Sequence, residues 1–340
     1  MKETEPTTNK LSKKEGATHR HGRGRRARCP WHMPPVAWKD TLWRTVLSIQ
    51  GDRVSFIAAG MAFYLMLSLV PTLAAILTIY GMIFDVAAIN EQISSLRGVI
   101  PSGVIDFAES ELTRLSSQQN LGGTGVAISL LFALWGASKA HQGIATGLDV
   151  AYGQKNSRNF IAAKLRALAF ALLTTAGSVI ILGLLVLGPH VAQALVADFA
   201  PFLSVIRWPF LAIVFWLWVM VTFRYGPSRR PPRWRWVTVG SILATILWIV
   251  SSGLLSWAAG AVLDLGKTYG SLAGIALLLL WLYSFGFSLL VGAELDSEIE
   301  HQTVVDTTIG PDRPRGERGA YVADTVGRSK GENDSWLNDD

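Results

Sequence analysis

The stretch Tyr269–Asp296, YGSLAGIALLLLWLYSFGFSLLVGAELD, constrains this chain more than any other. From Gly270 to Ala293 it carries no Asp, Glu, Lys, Arg or His. At ~1.5 Å rise per residue, a helix over those residues is roughly 36 Å long, enough to cross a ~30 Å hydrocarbon core with some tilt. Leu, Ile, Val, Phe and Trp fall on every face, so no polar stripe marks a surface helix of a soluble domain. The run stops at Glu294 and Asp296. It reads as a membrane span rather than as a buried helix of a large soluble protein, because several similar stretches precede it.

Half of the 340 residues are hydrophobic and 16% are charged, where soluble domains carry about 25%. The charges gather at the two ends and in short loops, which predicts an all-α, polytopic membrane helical bundle. The single cysteine, Cys29, excludes an intramolecular disulfide and a thiolate zinc site. The polar start MKETEPTTNKLSKKEG lacks the pattern of a cleavable signal peptide, so insertion is expected to begin at the first span.

Residues 1–35 are dense in Arg, Lys, Gly and Pro and are expected to form a disordered basic tail. The Arg run suits either attraction to anionic lipid or RNA, or a solvated tail whose charge fixes topology; no specific nucleic-acid partner is expected. Residues 36–300 are expected to form the membrane domain. Within Val36–Gln50, Leu42, Trp43, Val46 and Leu47 fall at helical spacing, with Trp38, Lys39 and Arg44 beside them. Such a helix suits the headgroup layer.

The first span is expected over about Ser55–Phe84, with Pro71 inside it. Proline withholds an N–H from the carbonyl of Leu67, so a bend is expected near Leu67–Pro71, with Ser68 helping to satisfy the freed carbonyl. The bend reads either as a hinge or as a kink packed against neighbours. Asp85–Asn120 is a long polar connection, expected outside the cell. The second span, about Leu121–Leu148, carries Lys139, His141, Gln142 and then Asp149 in and after its second half. Lys139 either faces the bundle interior or snorkels to the cytoplasmic side. Gly143 and Gly147 form a small-xxx-small pair that permits close helix approach. Further spans are expected at about Leu165–Leu187, Ile206–Phe223 and Val237–Leu263, before the last helix. Residues 301–340 are expected to be a disordered tail.

On six spans, Lys and Arg outside the cell number only Arg97, Arg114, Arg207 and Lys267, leaving 27 of 31 on the other side. The positive-inside rule then puts the N- and C-termini in the cytoplasm of a multi-pass cytoplasmic-membrane protein. Glu294, Asp296 and Asp149 all follow apolar helices that end on that inner side, and are expected around a shared polar site. Lys139, Lys155, Arg53 and the Arg229–Arg235 loop supply cations there; separate solvated helix ends are the alternative.

In the first span, AGMAFYLMLSLVPTLAAIL carries Ala62, Tyr64, Ser68, Leu69 and Pro71; in the second, LWGASKAHQGIATGLDVAYG carries Trp135, Ser138, Leu148, Ala151 and Tyr152. Near the end come TYG (Thr268, Tyr269, Gly270), LLLLWLY and GAEL (Gly292–Leu295). Together these resemble the YihY/BrkB-like inner-membrane family, once also labelled ribonuclease BN, over about Trp38–Ile299. Asp149 and Asp296 stand where that family usually has asparagine. The resemblance implies the architecture and marks Tyr64, Ser68, Pro71, Tyr269, Gly270 and Glu294 as candidate functional positions; Lys139, Asp149 and Asp296 join them for their charge within or at the end of a span.

It implies no settled activity. Metal-assisted RNA hydrolysis needs clustered His and carboxylate ligands, yet His19, His21, His32, His141, His190 and His301 are scattered. No HExxH, G-x-S-x-G or P-loop pattern is present. No enzyme activity and no cofactor are expected. The leading expectation is transport or translocation of an envelope lipid or other amphiphile; the alternative is a non-transporting membrane scaffold, with a ribonuclease last. Membrane lipids are the expected partners, and a homo-oligomer is left open.

Overall fold

A computed structural model describes residues 23–81, 123–154, 200–261 and 273–330, with scattered residues between 94 and 177. Among them the chain is helical, and an isolated bridge between Pro232 and Thr308 is its only extended pairing. The helices are α1 (Pro35–Gly51), α2 (Val54–Gly81), α3 (Gly123–Ala151), α4 (Ala200–Tyr225), α5 (Thr238–Ala261), α6 (Ala273–His301) and the single turn α7 (Tyr321–Asp324).

Three described segments are long and apolar enough to cross a membrane: Trp208–Tyr225, Thr238–Ala259 and Ala273–His301. A fourth appears if α1 and the first part of α2, bent by 61° at their junction, count as one broken span. Proline at N1 starts α1, where its missing N–H costs no helical hydrogen bond. The corner after α1 is made at Arg53, whose φ of +52° is left-handed. This bend lies well before Pro71, and the helix α2 continues through Pro71 to Gly81.

α6 is the central post. It packs against α5, α2, α1 and α3, while α2 also lies along α3 and α4 against α5. The main core joins Met61 of α2, Ile144 and Leu148 of α3, Phe223 of α4 and Leu289, Leu290 and Ala293 of α6. The Gly143/Gly147 pair does face a neighbour. A Cβ on Gly147 would lie 3.0 Å from Leu290 and 3.2 Å from Ile57 and Met61. Large apolar side chains point outward from α2 and α5, with Phe56 81% and Trp257 63% exposed. Such a surface suits lipid and not water.

Two expectations from the sequence are corrected here. The last apolar helix does not end at Glu294 and Asp296; it runs on to His301 with both carboxylates buried. Nor is the chain disordered throughout 1–35 and 301–340. Residues 23–34 and 302–330 pack together over the end of α6, burying Ala27, Gln302, Thr303, Thr307, Thr308 and Val322. Low apolar content pointed to disorder, but polar groups hold this cap. Thr303 Oγ1 donates to Ala27 O at 2.8 Å and Val304 N to Arg25 O at 2.7 Å. Arg318 donates to the carbonyls of Ala323 (2.6 Å) and Val304 (3.0 Å). Residues 1–22 and 331–340 lie outside the described part.

Candidate functional site

The C-terminal turns of α6 read Glu294-Leu-Asp296-Ser-Glu298-Ile-Glu300. A helix turns by about 200° over two residues, so alternate carboxylates form two stripes, Glu294 with Glu298 and Asp296 with Glu300. All four are buried. A carboxylate out of water is tolerable only with partners, and each stripe meets different ones.

The first stripe faces α1. Arg44 Nε donates to Glu298 Oε2, and its Nη2 to Glu298 O at 3.1 Å and Gln302 Oε1 at 2.8 Å. Ser48 Oγ donates to Glu298 Oε1 at 3.1 Å. Arg44, expected beside the headgroup layer, is therefore turned into the protein; the buried Glu298 decides its direction. One turn earlier, Glu294 meets Asp52 at the α1–α2 corner, their carboxyls sharing a hydrogen bond. One of the two must carry the proton for that bond to form. Burial raises Asp52's affinity for it, partly offset by the bond from Glu294. Glu294 Oε1 has no partner among the described residues.

The second stripe faces α3, α5 and the basic loop. Asp296 Oδ1 accepts from Gly240 N at 2.6 Å, in the first turn of α5. A carboxylate from one helix thus caps the free N–H groups of another, where the helix dipole also favours negative charge. Glu300 accepts from Arg229 Nη2 at 2.7 Å and from Thr307 Oγ1 at 2.8 Å. Both partners of the Arg229–Glu300 pair are fully shielded. The Arg229 guanidinium lies 3.9 Å from the centre of the Tyr152 ring, a desolvated cation–π contact. Burial pushes the Tyr152 hydroxyl well up, and the charge of Asp296 adds to it. Tyr152 Oη and Asp296 Oδ2 have no partner among the described residues.

Of the expected cluster, Glu294 and Asp296 both act on Tyr152 at this one end. Asp149 is buried nearby but turned away, accepting from Ser228 N and, at 2.8 Å, from Ser228 Oγ. The expected cation loop does supply a partner, Arg229, but to Glu300. Lys139 is half-buried on α3, ten residues or about 15 Å along the helix from Asp149; Lys155 lies outside the described residues.

Tyr64 and Ser68 lie on α2, Ser68 about 21 Å along the axis from Val54 and so far from the α6 cluster. Tyr64 is 42% exposed and edge-on to Phe63. Ser68 Oγ donates to Leu65 O at 2.8 Å and not to the carbonyl of Leu67, because a helical serine reaches back three or four residues. The side chain of Pro71, and Tyr269 and Gly270 altogether, lie outside the described part.

Sequence reasoning missed Arg44, Asp52, Glu298 and Glu300. The two-residue spacing of four acids after an apolar helix was the available signal.

Residues 45–317 match the family model described as Virulence factor BrkB. The chain belongs to the BrkB family. It is also similar to the "Putative ribonuclease-like protein YfkH" of Bacillus subtilis (strain 168), 28% identical over 251 residues that make up 71% of this chain and 88% of that protein. No solved structure matches. The family and the apolar helices together support a membrane protein, and the four α6 carboxylates fall inside the matched region.

Proposed function

We propose that this BrkB-family chain transports or translocates an envelope lipid or other amphiphile across the cytoplasmic membrane. It does so as a multi-pass protein of six spans with both termini cytoplasmic. The carrying observation is the cluster of buried carboxylates at the end of α6. Tyr152 Oη, Asp296 Oδ2 and Glu294 Oε1 are buried there without partners among the described residues. Buried orphan oxygens cost stability, and proteins keep such groups where they serve a ligand or a proton. The basic asymmetry of the loops supports the orientation. We read the chain as non-enzymatic from its sequence, in which the six histidines are scattered and no HExxH, G-x-S-x-G or P-loop pattern occurs.

A scaffold is the second reading. Its support is the apolar packing of Met61, Ile144, Leu148, Leu289 and Leu290 between α2, α3 and α6. Reconstitution in liposomes decides between them. Flux of a labelled phospholipid or amphiphile that falls in Glu294→Gln, with insertion unchanged, supports transport. Absence of flux for every lipid and solute tried, with native folding intact, supports the scaffold.

A further inference from the structure

Helix α1 is packed inside out for a soluble protein. Asp40, Thr41, Arg44 and Thr45 face the interior, while Leu42 is 52% and Val46 56% exposed. Lys39, Leu42, Trp43 and Val46 follow the i, i+3, i+4, i+7 spacing of one helical stripe. With Trp38 and Lys330 they line an open groove of about 730 Å³. Its size is that of a small-ligand site.

The groove is built from two distant parts of the chain. Lys330 N donates to Asp40 Oδ1 at 3.0 Å, and Arg23 Nη1 to Asp40 Oδ2 at 2.7 Å. The strand of chain leading to Lys330 is tied down by Arg44 Nη1 to Arg328 O at 2.6 Å and Arg25 Nη2 to Gly327 O at 2.7 Å. Asp40 is thereby spent on the inner face. The groove is left with two ammonium groups, two indoles and aliphatic carbon, and no carboxylate among its described lining residues. Ammonium groups bind phosphate as point charges, and indoles sit well between headgroup and acyl chain.

We infer that this groove is a binding site for one anionic glycerophospholipid, its phosphate between Lys39 and Lys330 and an acyl chain along Leu42, Trp43 and Val46. The inference rests on membrane placement and not on transport, so a failed flux assay leaves it standing.

The test is native mass spectrometry of the full-length protein in detergent, titrated with phosphatidylglycerol and with phosphatidylcholine of the same acyl chains. Phosphatidylglycerol should bind about thirtyfold more tightly, the order expected of two lysines at an anionic headgroup. Lys39→Gln with Lys330→Gln should abolish that preference. Arg26→Gln with Arg28→Gln, two exposed cations away from the groove, should keep it. Val46→Asp should weaken both lipids. Equal binding of the two lipids by the native chain, or a preference that survives loss of both lysines, overturns the inference. So does a tenfold gain in phosphatidylglycerol affinity on deleting residues 331–340, since the chain's own acidic tail would then be the occupant.

Discussion

Gly240 and Gly292 meet so closely that a Cβ on Gly240 would lie 2.0 Å from Gly292 O, and one on Gly292 2.4 Å from Gly240 O. The crossing of α5 over α6 is therefore backbone against backbone. It also brings Gly240 N within reach of Asp296, one turn beyond Gly292. Close packing and the trans-helix cap are one feature.

Gly292→Ala should force the helices apart and lose the cap together. Overpacking costs about 1–3 kcal/mol, and the lost hydrogen bond adds to it. A clear fall in thermal unfolding temperature in detergent is expected, and an unchanged value would show that the crossing tolerates a methyl.

Asp296→Asn should be mild, because an amide oxygen accepts from Gly240 N as a carboxylate oxygen does. Asp296→Ala removes the cap and should cost about 0.5–2 kcal/mol. Unfolding curves for the two variants check the order. If asparagine costs as much as alanine, the negative charge itself is needed at the start of α5.

Arg229 and Glu300 form a pair with no exposure on either side. Removing one partner strands a buried charge, at a cost of about 3–5 kcal/mol. Arg229→Met should lower stability strongly, and Arg229→Met with Glu300→Leu should recover much of the loss. A double variant no better than the single would mean that Tyr152 packing, and not charge, dominates.

Acid should loosen the C-terminal cap through Asp306. Burial alone would raise this carboxyl, but N–H donors from Thr308 and Arg313 and the Thr308 hydroxyl hold it below its ordinary 3.8. A depressed folded value gives stability that is present above pH 3.8 and lost as pH falls through the folded value. Limited proteolysis of residues 302–330 should rise in that range, and Asp306→Asn should flatten the dependence.

Topology is open to a direct check. In a Cys29→Ser background, cysteines at Ser102 and Asp340 should react with an impermeant reagent from opposite sides. Reaction of both in intact cells would end the six-span orientation.

The apolar run before Glu294 was legible in the sequence because burial in lipid is a property of consecutive residues, needing no partner. So were the helical character of the other described segments and the close approach at Gly143 and Gly147; the span expected over 165–187 lies almost wholly outside the described residues. The last turns of α6 were not. Glu298 and Glu300 drew no expectation, since their partners, Arg44 and Arg229, lie 254 and 71 residues away in the chain. The polar cap from 23–34 and 302–330 escaped for the same reason: its hydrogen bonds join the two ends of the chain. Local composition determined that this protein is a helical membrane bundle. Only the tertiary structure decided which charges are buried, because a charge leaves water only when a distant group comes to meet it.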